Sequence, residues 1–309
     1  MKKTYFLLFV LSNFIFAINV CSQQKTVLKT EYRALLHRTD KLPIVFNISE
    51  SKYASKRTWT IRNAGEKLVA DKIVEKADSL LVYLPFFDGM LLLKKTTNGY
   101  EGLWNKKTIN GDQFMPLTIE KGNKRLDLTG STNQFNVTGR WNVEFTNDKM
   151  KKSIAMGEFK QIGKKLIGTF LTPTGDYRFL EGTVAGDSMQ MTTFDGSHAF
   201  FFSAHIKDAN TLVSGIYASG LTHMETWKAK RDEKMILDES SSSFQLKGLE
   251  SKLNFSFPDL DSNIVSIKDE RFKNKVVVIQ IMGSWCPNCM DETAFLSKYF
   301  NENKQLGIE

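Results

Sequence analysis

"VTGRWNVEFT" at residues 137–146 is the first of eight short runs that decide how the middle of this 309-residue chain folds. The others are "MGEFKQI" (156–162), "KLIGTFLT" (165–172), "YRFLEGTV" (177–184), "SMQMTTF" (188–194), "HAFFFSAHI" (198–206), "TLVSGIY" (211–217) and "METWKAK" (224–230). Each is rich in β-branched or aromatic residues. Turn-forming pieces such as "TND", "PTGD", "AGD", "DGS" and "KDAN" separate them, which is the signature of strands joined by hairpins. Eight strands in close succession predict a meander over 137–231 that closes into an up-and-down barrel.

The "TGRW" that opens this meander and the "ETWKAK" that ends it resemble calycin-type barrels of the lipocalin and avidin kind. A single Gly-x-Trp carries no ligand across with it. Trp141, Phe170, Tyr177, Phe194, Phe200 and Trp227 are placed to line or to fill such a barrel, filling being the ordinary outcome.

Upstream, "RTWTIRN", "KLVADKIV", "SLLVYLP" and "GYEGLW" extend the β pattern back to about residue 43, with "NAG", "KAD" and "TNG" as turns. "ADSLLVYLPFFDGMLLL" (77–93) resembles "GDSMQMTTFDGSHAFFF" (186–202), a hint of internal repetition, although Asp-Ser and Asp-Gly are also common turn pairs. Downstream, "RDEKMILDESSSSFQLKGLESK" (231–252) is polar, carries four consecutive serines and reads as a linker. The predicted organisation is therefore a signal peptide (1–22), a β-rich region (23–136), a barrel-like domain (137–231), a linker (232–252) and a last domain (253–309).

Composition is that of a soluble globular protein, with 41% hydrophobic and 25% charged residues. The net charge of +8 is spread as lysines between apolar positions, with no basic cluster and no nucleic-acid motif. It reads as solvated strand faces, with no nucleic-acid partner. "MKK" followed by "TYFLLFVLSNFIFAINV" has the positive and then apolar pattern of a secretory signal. This predicts export to the periplasm or cell envelope, with cleavage after Ser22. The alternative is a lipoprotein anchored through Cys21.

The last segment contains "GSWCPNCMDE" (283–292), with two of the three cysteines of the chain. "VVVIQIM" (276–282) reads as a strand covered on both faces, and "CPNCMDETAFLSKYF" as a helix with Pro287 in its first turn. A thiol at a helix N-terminus is favoured as thiolate. A disulfide between Cys286 and Cys289 closes too small a ring to stabilise much, so the pair suits thiol–disulfide exchange better than stapling. In that chemistry Cys286 attacks and Cys289 resolves. Zinc and haem attachment lack the ligands they need: no second Cys or Cys/His pair of metal spacing follows, and Met290 stands where haem attachment needs His. The four histidines, His37, His198, His205 and His223, are expected to face solvent or core.

Residues 255–309 resemble the start of a TlpA/ResA-like thioredoxin-fold domain, an exported branch of the disulfide oxidoreductases. The resemblance rests on "FPDLDSNIVSIKDERFKNK", "VVVIQIMGSW" and "WCPNC", with Glu292 matching an acidic residue of that branch. It implies the Cys286–Cys289 redox pair with Trp285, Pro287 and Glu292 in support. It also implies thiol- or disulfide-containing partner proteins, a membrane electron donor, and neither cofactor nor metal. Gln280 departs from it, standing where thioredoxin has a buried Asp. No proline follows the helix, and the chain stops at "LGIE". The expectation is thus a C-terminally incomplete domain, inactive as it stands, of an exported oxidoreductase. The alternative is a β-barrel module that binds a ligand or partner, with an accessory, inactive thioredoxin fragment.

Overall fold

The structure is a computed structural model that describes residues 28–53, 56–85, 89–108, 111–131, 135–173, 175–237, 252–283 and 287–309. Cys21, Trp285, Cys286 and the predicted signal peptide lie outside these residues, as does most of the predicted linker.

The first nine strands are β1 (Leu28–His37), β2 (Pro43–Tyr53), β3 (Lys56–Asn63), β4 (Glu66–Ala70), β5 (Ile73–Lys76), β6 (Ser79–Tyr83), β7 (Met90–Lys95), β8 (Gly99–Thr108) and β9 (Gly111–Lys121). They form one antiparallel sheet in the order β4-β3-β2-β1-β9-β8-β7-β6-β5. Two meanders are thus joined where β1 pairs with β9. The sheet curls on itself. Trp59 on β3 and Tyr100 on β8 are four strand steps apart, about 19 Å in a flat sheet, yet their ring centroids are 5.4 Å apart. Arg57 on β3 likewise reaches Glu75 on β5 at 3.2 Å, bringing the two ends of the sheet together. Strand β1 lies inside the predicted β-rich region (23–136) but ahead of about residue 43, where the recognisable strand runs begin. Its "LKTEYRALLH" carries few β-branched residues, but Tyr32, Ala34 and Leu36 alternate into the core.

The next nine are β10 (Gly139–Thr146), β11 (Lys152–Ile162), β12 (Lys165–Thr172), the two-residue β13 (Gly175–Asp176), β14 (Leu180–Ala185), β15 (Ser188–Phe194), β16 (Ala199–Asp208), β17 (Thr211–Ser219) and β18 (His223–Arg231). Leaving β13 aside, each pairs with its neighbour, β11 with β12, and β18 returns to β10, so eight strands close a barrel. This is the meander predicted from 137–231. Its inside is filled by rings. Phe170 stacks on Phe202 at 4.5 Å and meets Trp227, Phe159 and Phe145 edge-on at 5.2, 5.3 and 5.4 Å. Such rings bury ~150–250 Å² each, and each pair adds ~0.5–1.5 kcal/mol beyond burial. Trp141, Phe200 and Tyr177 belong to the same core. Phe194, expected inside, points outward instead.

That outward turn explains how the two halves join. Phe194 stacks on Phe46 of the first sheet at 4.2 Å and meets Trp104 edge-on at 5.0 Å. Ala199, Phe201 and Ala218, also on the barrel's outside, belong to the first sheet's core. The repeated stretches of sequence form equivalent hairpins, β6–β7 and β15–β16, each the sixth and seventh strands of a nine-strand run. Their turns touch. A Cβ on Gly89 would lie 2.8 Å from Gly196 O, so glycine is required there.

The thioredoxin reading of the last segment is not supported. A thioredoxin fold needs a central sheet covered by helices. The described residues of 252–309 contain instead a hairpin of β19 (Ser256–Pro258) and β20 (Ile264–Ser266), one α-helix, α1 (Pro287–Asn303), two short 3-10 turns, and a single parallel bridge between Val276 and Ile308. The expected strand over 276–282 is irregular beyond that bridge, and Val278, Ile279 and Ile281 are 49%, 46% and 76% exposed. Among the described residues the run pairs only with the short Gly307–Glu309 stretch, which leaves much of its apolar surface uncovered. The expectations of a thioredoxin-like part, a redox-active centre and an oxidoreductase fall with it.

Candidate functional site

The hairpin turn after β15 sets the geometry of the site. Asp195 accepts the backbone N–H groups of Ser197 at 2.8 Å and His198 at 2.6 Å through Oδ1. Its Oδ2 lies 3.0 Å from His198 Nδ1. Gly196 has φ +92°, a left-handed conformation that favours glycine, and its carbonyl accepts Trp104 Nε1–H at 3.2 Å. Asp195 is 1% exposed. Burial pushes its carboxyl up, but the His198 bond and charge and the two backbone donors outweigh it and hold the group below its ordinary value.

Behind Asp195 runs a chain of charge between the two halves. Arg178 Nε is 3.6 Å from Asp195 Oδ2, and its guanidinium also bonds Glu66 at the start of β4. Burial raises the Glu66 carboxyl, opposed by Arg178 and Asn63. Nearby, Arg125 is fully enclosed: it donates to Arg62 O at 2.8 Å, Asn63 Oδ1 at 2.9 Å and Thr192 O at 3.0 Å. Asn63 itself donates to Phe194 O at 2.8 Å. These bonds satisfy the guanidinium and amide that they join across the junction.

In front of Asp195 opens a cleft of about 490 Å³. One wall is Trp104 and Lys106 of β8 with Gln113, Phe114 and Met115 of β9; the other is Ser197 to Ala199 and the β17–β18 turn, Ser219 to His223. That turn is held by Arg38, whose buried guanidinium donates to Ser219 O at 3.0 Å, to Gly220 O and to His223 O at 3.1 Å, while Asp40 pairs with it. Lys106 is half-buried. Burial pushes its ammonium down from the ordinary value, and only Asp195 pulls it up. A larger cleft of about 690 Å³ lies between the Ala64–Gly65 turn and the barrel. Its Arg140, Glu158 and Arg178 are already paired, with one another or with Glu66.

The residues expected to carry chemistry lie elsewhere. Cys289 sits in the first turn of α1 and is disulfide-bonded, its partner outside the described residues. Glu292 Oε2 accepts Gln280 Nε2 at 3.0 Å, and Gln280 also reaches Cys289 O at 3.0 Å. Pro287 opens the helix. None of these residues lines the cleft. Conversely, His198 and His223, expected to face solvent or core, line it, while His205 and His37 remain on strand surfaces near Asp187 and Thr118. The "FDGSH" turn was the available signal, because an Asp three before a His can orient its ring. No group of three or more His, Cys, Asp or Glu among the described residues could hold a metal, and no described helix is long and apolar enough to cross a membrane.

No protein-family model matches the chain, and no curated protein matches it. Among solved structures, a putative AttH from Nitrosomonas europaea aligns with 65% of this chain and 91% of its own, at 8% identity and a TM-score of 0.15. A likeness at that score assigns neither fold nor function. The class rests on the chain's own geometry, a β protein in which a curled sheet and a closed barrel share one cleft.

Proposed function

We propose that this protein is a binding module and that its binding site is the cleft between the curled sheet and the barrel. The observation that carries this reading is the cleft itself. It combines an apolar wall of Trp104, Phe114 and Met115 with converging polar groups, the usual make-up of a small-molecule site. The barrel interior, the first place to look in a calycin-like fold, is filled by its own rings. Arg38 and the Asp195 turn hold the facing wall, so little ordering is left to the binding step. The module works in the exported compartment that the N-terminal pattern predicts.

The neutral fluorophore N-phenyl-1-naphthylamine tests the site. It should bind the parent protein with enhanced emission, and Thr222→Trp, which adds a large ring to the exposed turn lining the cleft, should weaken it about tenfold, the effect of losing roughly 1.4 kcal/mol. Unchanged binding in a folded Thr222→Trp protein would place the probe elsewhere and overturn the reading.

A further inference from the structure

Thirteen residues line the cleft, and none of them is acidic. The lining carries one lysine and two imidazoles. The nearby carboxylates are already engaged. Asp195 is held by His198 and Arg178, Glu225 lies 3.2 Å from His223, and Asp112 accepts Asn105 at 3.1 Å. Lys106 of β8 forms no salt bridge among the described residues, whereas Lys94 and Lys95 of the neighbouring β7 both do. A half-buried ammonium whose nearest opposing charge, Asp195, is already held by His198 and Arg178 is costly, and an anion entering the cleft would pair with it directly. Beside it the walls are apolar: Trp104 is buried, Met115 is buried, and Phe114 is 46% exposed.

From this juxtaposition we infer that the cleft takes an amphiphile with a carboxylate head, the head beside Lys106 and the ring edge of His198, the apolar chain along Trp104, Phe114 and Met115. This inference rests on the cleft being the binding site and adds the class of ligand. The Asp195 bond to Nδ1 fixes the His198 ring, so the head meets a pre-oriented edge. His223, on the same wall as His198, is paired with Glu225 and bounds the cleft.

The test is displacement of N-phenyl-1-naphthylamine by three amphiphiles with a ten-carbon chain, each below its micelle or solubility limit: decanoate, decanol and decyltrimethylammonium. Decanoate should compete about tenfold more strongly than either of the others, since a charge-assisted hydrogen bond contributes ~1.5–3 kcal/mol and each ~1.4 kcal/mol is tenfold. Lys106→Met should remove that preference, with decanoate weakened far more than decanol; Lys106→Arg should keep it. Thermal melting of both variants confirms that they fold, which is expected because Lys106 has no salt bridge to lose among the described residues. If the fluorophore binds in the cleft but all three amphiphiles compete equally, the cleft stands as a site and the carboxylate assignment fails. If Lys106→Met retains the preference, the head lies elsewhere and the assignment also fails. If the fluorophore does not respond to Thr222→Trp, the binding reading fails first and takes this one with it.

Discussion

Asp195 concentrates the chemistry of the junction at one residue. It orients His198, faces Arg178 and accepts two backbone donors, all while nearly inaccessible to water. A buried carboxylate with its value held down stabilises the fold above the unfolded Asp value of ~3.9. That stability is lost as pH falls through the lower native value. Glu66 works in the other direction: because burial raises it, its ionisation weakens the folded state as pH rises through its native value. Asp195→Asn should therefore cost about 3 kcal/mol near neutrality, the scale of breaking a buried pair. It should also flatten the loss of stability on acidification. Urea unfolding between pH 2.5 and 7 measures both, and a variant with the parent's stability and the parent's acid limb would show that Asp195 is not the keystone described.

Among the elements, the barrel strands depend on rings and the junction on one hairpin. Phe170 is fully buried among Phe202, Phe159, Phe145 and Trp227, so Phe170→Ala should cost ~3–5 kcal/mol. Phe114→Ala, on the exposed cleft wall, should stay within ~0.5 kcal/mol. Equal losses in urea unfolding would contradict a packed interior. The eight barrel strands were legible because each buries one face and is bounded by turn residues, so period and punctuation agree. Strand β1 was not, because "LKTEYRALLH" uses residues that suit helices and owes its conformation to pairing with both β2 and β9. Phe194 misled for a related reason. Alternation tells which residues share a face but not which face meets water, and here the barrel's outside is buried against a second sheet. The last segment misled most. Cys-x-x-Cys, an apolar run and a helix are all present locally, but the sheet that would make them a thioredoxin fold is not among the described residues, and a local motif does not establish a tertiary fold.

At the scale of the whole molecule, two nine-strand runs of similar order pack so that equivalent hairpins meet, Gly89 against Gly196. The cleft is a product of that meeting. Its Lys106 comes from the first run and its His198 from the second, more than ninety residues apart in sequence, so no short motif could have revealed it. On the proposed reading the larger β body supplies the function, and Cys289 and Glu292 do not line the cleft. Crystals soaked with 10-bromodecanoate test this most directly through the anomalous signal of bromine. The account predicts a bromine peak between the β8–β9 wall and the β17–β18 turn, beside Trp104 and Met115. A peak inside the barrel among Phe170, Phe202 and Trp227, or in neither place, would contradict it.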